Sequence, residues 1–280
     1  NSELWMARGT LLFEPSNAYD ARLKLNFVKE RWNGTGGDAQ LAGCPDGLGS
    51  VAPIDIPFLS GSECTLDRNT QLGDLDPDFW PGVPNGGVPF LDSKQAFGSL
   101  EQNLVISPVL KLTSVTGYYR IDHEIMPRGN TTSTPTIAPH YNFRNTQFTE
   151  ELRLSSDLAG PVNFMLGGFY QKAIYVNRNR ILGNAAFNLP GLLENGRHEI
   201  DISTYSLFGQ AIWKVTDLFE ISAGARWTDE TREHKEFNFF TGQFVNLLVP
   251  RIHSSNISPE LTVSFKPRQN LNVFASYRQA

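Results

Sequence analysis

The sequence predicts an all-β chain: an antiparallel up-and-down meander of about ten strands, forming part of a transmembrane β-barrel. Three observations predict it. Apolar residues recur at every second position in segment after segment, whereas a helical period is almost absent. Most segments match or exceed the roughly 9–11 residues that a tilted strand needs to cross a bilayer. The connections alternate between short turns and long loops, as they do when the two ends of a barrel face different compartments.

The first strand is expected over residues 3–14, where Trp5, Ala7, Gly9, Leu11 and Phe13 alternate with Met6, Arg8, Thr10, Leu12 and Glu14. The second, 18–30, sets Tyr19, Ala21, Leu23, Leu25 and Phe27 against Asp20, Arg22, Lys24, Asn26 and Val28. A shorter strand follows at 99–107. The next, 109–125, fits with Thr113, Val115, Gly117, Tyr119 and Ile121 outward. Strand 145–156 puts Phe148, Leu152 and Leu154 opposite Gln147, Thr149, Glu151 and Arg153, with Glu150 as an exception on the apolar face. Strand 161–179 is mixed on both faces, and its parity stays open. Strand 197–215 carries Tyr205, Leu207, Gly209, Ala211 and Trp213 on one face. Strand 218–236 is the clearest, with Phe219, Ile221, Ala223, Ala225 and Trp227 against Glu220, Ser222, Gly224, Arg226, Thr228 and Glu230. Strands at 255–266 and 270–280 alternate in the same way.

Short turns such as Glu14-Pro15-Ser16-Asn17, Ser107-Pro108 and Thr216-Asp217 use the residues that tight turns require. Long loops are expected at about 31–98, 126–144, 180–196 and 237–254. A soluble β-sandwich also alternates, with one face in the core and one in water. The strand lengths, the one-sided long loops and the aromatics near the ends of the apolar faces (Trp5, Phe13, Tyr19, Phe27, Trp213, Phe219, Trp227) favour the membrane barrel.

The 280 residues carry 24 Lys+Arg against 29 Asp+Glu, a net charge of −5. That excludes a nucleic-acid binder, which needs a basic surplus. No apolar run is long enough for a transmembrane helix. The chain begins at Asn1 without a signal-peptide pattern and stops inside a strand, so we expect a fragment cut at both ends. Cys44 and Cys64 are expected to form a disulfide, as in an oxidising compartment, with two free thiols as the alternative. Bridged, they close about 20 residues, worth roughly 3 kcal/mol in a loop with little core.

Motifs for chemistry fail on inspection. The Gly34-Thr35-Gly36-Gly37 run opens no helix, since Gly43 and Pro45 follow. His123-Glu124 lacks the second zinc-protease histidine, and Asp74-x-Asp76-x-Asp78 lacks the glycine and closing glutamate of a calcium loop. His140, His198, His234 and His253 fall near external ends without ligand spacing and are expected as solvated-loop residues. No nucleophile has a base and orienter nearby, so an enzyme is not expected. Candidate ligand-gripping aromatics on the first long loop are Phe79, Trp80, Phe90 and Phe97, with packing under the loop as the alternative role. Arg8, Arg22, Arg120, Arg153, Glu220 and Arg226 are expected to face the lumen, together with Lys24, Asp20, Asp122, Glu151 and Glu230.

The order of segments resembles the barrel of TonB-dependent outer-membrane receptors. The stretches that carry the likeness are Ala7 to Pro15, Leu112 to Tyr118, Phe148 to Leu154, Leu166 to Tyr170, Tyr205 to Gln210, Ile221 to Thr228 and Leu271 to Tyr277. The resemblance implies a barrel of roughly 22 strands around an N-terminal plug. It also implies residence in the bacterial outer membrane, contact with lipid, and energised import of a scarce small molecule, most commonly a ferric siderophore. The partners it implies are the plug and, through an N-terminal box, the TonB complex. No stretch here matches the plug or the box, so residues 1–280 are expected to be a partial barrel domain whose charged wall meets the plug. The alternatives are a passive outer-membrane porin and a soluble secreted β-rich binding protein.

Overall fold

The structure, a computed structural model, describes residues 2–34, 75–127 and 137–279. Cys44 and Cys64 lie outside the described residues. The strands are β1 (Ser2–Ser16), β2 (Tyr19–Asn33), β3 (Phe90–Ser107), β4 (Leu110–Met126), β5 (Ile137–Ser156), β6 (Val162–Gly183), β7 (Glu194–Lys214), β8 (Phe219–Asn238), β9 (Gln243–Phe244), β10 (Arg251–Arg268) and β11 (Leu271–Arg278). They make one antiparallel meander, β1-β2-β3-β4-β5-β6-β7-β8-β10-β11, with the short β9 folded onto β8. The sheet is open, with β1 and β11 at its edges.

The chemistry of the two faces is inverted relative to a water-soluble sheet. Ser206 is 2% exposed and Thr204 5%, while their neighbours Leu207 and Tyr205 are 63% and 52% exposed. A soluble sheet must hide its apolar face to gain the hydrophobic free energy. This one crowds its polar face on the inside of the curve and leaves its apolar face uncovered. That arrangement is stable where the surrounding solvent is hydrocarbon and every backbone group is paired in the sheet.

Register fixes the face of every strand, because directly opposed residues point the same way. Ala225 of β8 opposes Gly209 of β7 and Pro259 of β10, so the odd positions of β8 lie on the apolar face as expected. The undecided strand β6 follows from its pairing: Leu166 opposes Gly209 and Leu154, which puts Val162, Phe164, Leu166 and Tyr170 on the apolar face. One expectation is overturned. Thr113 of β4 opposes Arg153, and Arg120 opposes Thr146, so β4 turns its odd positions inward and Arg120 outward. The periodicity misled because Val115, Tyr119 and Ile121 look like a lipid face while Ser114 and Thr116 do not. The outward hydroxyls of Ser114 and Thr116 donate to Glu150 (2.7 and 2.5 Å), which is itself on the apolar face of β5. Three polar groups satisfy one another there.

With the faces settled, the apolar band has a sharp upper edge. Trp5, Phe27, Tyr118, Phe148, Tyr170, Tyr205 and Trp227 are outward aromatics at this level, each followed on the next outward position away from the band by a charged or hydroxyl residue. Phe148, Tyr170 and Tyr205 touch in series, with ring centroids 6.3 and 5.1 Å apart. Immediately above come Lys29, Arg120, Lys172 and Asp229. The lower edge has Tyr19, Trp213, and Phe219 stacked on Phe265 at 4.6 Å. The eight-residue rise from Phe219 to Trp227 spans about 26 Å along the strand, which at a barrel tilt of roughly 40° covers about 20 Å of height, most of an apolar band about 25 Å tall.

Above the upper edge, β3 to β8 continue, and the first long loop begins later than the alternation suggested. β2 reaches Asn33 and β3 begins at Phe90. The 90–98 stretch does not read as strand because its upper end, where Phe90, Leu91 and Ser93 are buried, lies beside the cap above the apolar band, so its polarity does not alternate between lipid and lumen. The remainder of that loop contributes a small cap. Trp80 and Leu75 pack with Phe90, Met126, Ala138 and Leu182 at the ends of β3 to β6. Ala185 donates its backbone N–H to Phe79 (2.7 Å) and ties the β6–β7 connection to the cap. Gly87 closes it at φ 85°, where an added Cβ would lie 1.7 Å from the carbonyl oxygen of Leu75. Among the described residues, six of the eight buried hydrophobic side chains belong to this cluster.

Candidate functional site

The concave polar face is the candidate site, a wall built from inward residues of ten strands. β8 contributes Glu220, Arg226 and Glu230, β5 contributes Glu151 and Arg153, and β1 and β2 contribute Arg8 and Arg22. Of the predicted wall residues, Arg8, Arg22, Arg153, Glu220 and Arg226 share this face by register. Arg120 does not. It stands on the outward face above the aromatic edge, 2.6 Å from Asp122, which also holds Arg144 at 2.5 Å.

Arg226 is fixed on three sides. Its Nη2 donates to Ser206 Oγ (3.0 Å), and its guanidinium lies 5.2 Å from the ring centre of Phe169 and 5.3 Å from that of Phe208. Gly167 makes room for this stack: a Cβ there would lie 2.3 Å from the Phe208 ring and 2.7 Å from the carbonyl oxygen of Leu152. Arg153 Nε sits 3.0 Å from Glu151 Oε1, off the line of a good hydrogen bond. Glu220 faces Lys266 at 3.5 Å, and Glu230 accepts from Thr204 (3.0 Å) and Arg232 (2.7 Å). Asn103 donates to Asp20 (2.9 Å) and accepts from Thr113 (2.8 Å). By contrast, Arg8 and Arg22 have no ion-pair partner among the described residues. The wall therefore has a self-neutralised half, β5 to β11, and three cations on β1 and β2, Arg8, Arg22 and Lys24, without an ion-pair partner among the described residues.

The four candidate aromatics separate. Trp80 is 3% exposed and Phe90 6%, both inside the cap core, so they pack and do not present a free ring. Phe90 is the first residue of β3 and not a loop residue. Phe97 lies in mid-strand on the concave face, opposite Asn26 and Tyr119, also not in a loop. Phe79 alone stands on the cap with half its surface open, at 48% exposure. The histidines, too, are on strands. His253 accompanies Asp229 on the outward face at 2.8 Å, and His140 is buried beside the cap. His140 Nε2–H donates to Glu124 (2.8 Å) while Nδ1 accepts from Arg180 (3.3 Å), an arrangement open only to the neutral ring. Burial pushes its pKa down, against the opposing pull of Glu124.

A family model described as TonB dependent receptor-like, beta-barrel, matches residues 18–280. The chain belongs to the TonB-dependent receptor β-barrel family. Among solved structures, the ferric yersiniabactin uptake receptor FyuA from Yersinia pestis superposes with a TM-score of 0.67 at 10% identity, over 98% of this chain and 37% of its own. The open form of the ferric-catecholate import receptor Fiu from Escherichia coli K12 gives 0.67 at 12% identity, over 99% and 46%. The ferripyoverdine receptor of the Pseudomonas aeruginosa outer membrane gives 0.64 at 11%, over 99% and 35%. Identities this low establish the shared fold. The chain spans less than half the length of each of these receptor chains. No curated protein matches it in sequence. TonB-dependent receptors are transport receptors of the bacterial outer membrane, not enzymes.

Proposed function

We propose that residues 1–280 form part of the barrel wall of an outer-membrane TonB-dependent receptor that imports a scarce ligand, with a ferric siderophore as the leading candidate. The observation that carries this reading is the inverted burial, an uncovered apolar band edged by aromatics around a charged concave face, in a chain of this family. The solved receptors that share the fold include several for ferric siderophores, which supports the choice of ligand class. On this reading the concave face is the lumen. Its paired charges hold the wall in shape, and Arg8 and Arg22 are left to meet a plug. Phe79 on the cap and Phe97 on the lumen wall are the aromatics placed to touch a ligand on its way in. A Cys44–Cys64 bridge would staple the first loop.

The test is accumulation of radiolabelled ferric siderophores by cells that carry the full-length receptor, with and without TonB. Uptake of one siderophore that stops when TonB is deleted is the expected result. Uptake that is independent of TonB and unselective would replace this reading with a passive porin. A chain recovered from the soluble fraction as a folded monomer would replace it with a secreted binding protein.

A further inference from the structure

We propose that His198, His234 and Glu236 form a binding site for a divalent transition-metal ion, of the zinc, copper or nickel type, on the concave face above the membrane band. β7 and β8 pair so that His198 opposes Glu236 and Ile200 opposes His234. All three side chains therefore share the face that carries Arg226 and Glu230. One donor atom from each lies within 4.8 Å of the other two, and none is fully buried. The two imidazoles stack at 5.7 Å with 25° between their planes. His198 Nδ1 is 3.7 Å from Glu236 Oε2. That is too long for a hydrogen bond, so the three donors converge on one another without satisfying one another.

Two nitrogens and one carboxylate are the ligand chemistry of borderline transition metals. Calcium and magnesium take oxygen ligands instead. Donors bound at about 2.0–2.2 Å to one ion lie roughly 3–3.5 Å apart, which small side-chain rotations reach from the present spacing. Among the described residues, no unpaired cation stands next to the site on this face. On the neighbouring strand β6, the residue opposite His198 is the neutral Asn177. The nearest same-face cation on β8, Arg232, is engaged with Glu230 at 2.7 Å. The scaffold is two fully paired strands, which hold ligands more firmly than a loop. Three protein ligands leave a coordination position open to water or to a donor on an incoming molecule. The sequence showed none of this, because the histidines are 36 residues apart in the chain and meet only through the β7–β8 register.

The site is independent of what the receptor transports, and its test does not involve TonB. Full-length receptor in detergent micelles is titrated calorimetrically with ZnCl2, and its Cu2+ complex is examined by electron paramagnetic resonance. The expected result is one saturable equivalent assigned to this site, with two-nitrogen hyperfine splitting. His198→Ala and His234→Ala should each weaken that equivalent about tenfold or more and reduce the splitting to one nitrogen. His253→Ala, on the opposite face, should change neither. Heat-modifiable gel mobility verifies that each variant is folded. Zinc binding that is absent in the wild type, or unchanged in both His198→Ala and His234→Ala, overturns the proposal.

Discussion

Ala225 and Arg226 are neighbours in sequence and face opposite media. Ala225→Arg puts a guanidinium at mid-band among Gly209 and Pro259, and should cost about 2–4 kcal/mol in urea unfolding of the full-length receptor in lipid vesicles. Arg226→Ala removes one hydrogen bond and two ring contacts, and should cost about 1–2 kcal/mol. A harsher Arg226→Ala together with a neutral Ala225→Arg would reverse the assignment of the lipid face. Glu150 makes a second residue-scale case. Thr116→Val deprives its carboxyl group of one of two donors on the lipid face and should cost about 1–2 kcal/mol in the same assay. The triple change Glu150→Leu, Ser114→Ala and Thr116→Val removes donors and acceptor together, and should be near neutral or stabilising. A triple variant weaker than Thr116→Val alone would mean the trio has a role beyond satisfying itself.

At the scale of elements, the cap is a small hydrophobic cluster on long strands, and His140 ties it to pH. Its folded pKa lies below the unfolded value near 6.5, so the unfolded cap binds the proton more readily. The stability that the neutral ring confers is complete above about pH 6.5 and is lost as pH falls below it. Trp80, buried in the same cluster, is a reporter. We expect its fluorescence and the amide protection of Leu75 and Ala185 to fall between pH 7.5 and 5. His140→Gln should flatten that dependence. A cap equally protected at both pH values would show that His140 accepts its proton without strain. The barrel strands themselves should not respond, since their backbone bonds do not depend on this ring.

At the scale of the whole molecule, the open sheet leaves β1 and β11 with one neighbour each. β1 runs over 15 residues and β11 over 8, and both carry exposed apolar side chains, from Trp5 and Leu11 to Val273 and Tyr277. Such edges template pairing with other chains. Residues 1–280 expressed alone should therefore self-associate in detergent, which sedimentation velocity would detect as species larger than one chain. A stable monomer with slowly exchanging β1 amides would mean that the edges are closed in some other way. Within the sheet, by contrast, nearly all packing is between sequence neighbours. Each strand after β1 contacts the strand before it, except β10, which pairs with β8 past the short β9, and among the described residues no second layer covers either face.

What the sequence determined by itself is the meander: strand count, strand faces in β1, β2, β5, β7 and β8, and the alternation of turns and loops. These follow from local chemistry, because a strand between hydrocarbon and a wet lumen must alternate, and a tight turn must use Asn, Asp, Gly, Pro or Ser. Where the medium is the same on both sides, the signal vanishes. Residues 90–95 and 180–183 form strand above the apolar band, beside the cap, and nothing in their polarity says so. Where polar groups satisfy one another in lipid, as Glu150, Ser114 and Thr116 do, the signal inverts, and β4 was turned over with Arg120 on it. Only the tertiary structure decided the parity of β6, the burial of Trp80 and Phe90, the stack of Arg226 on Phe169 and Phe208, and the meeting of His198 with His234 and Glu236. Each depends on cross-strand register, a relation between residues tens of positions apart. Period-2 chemistry within one strand carries no record of which residue stands opposite.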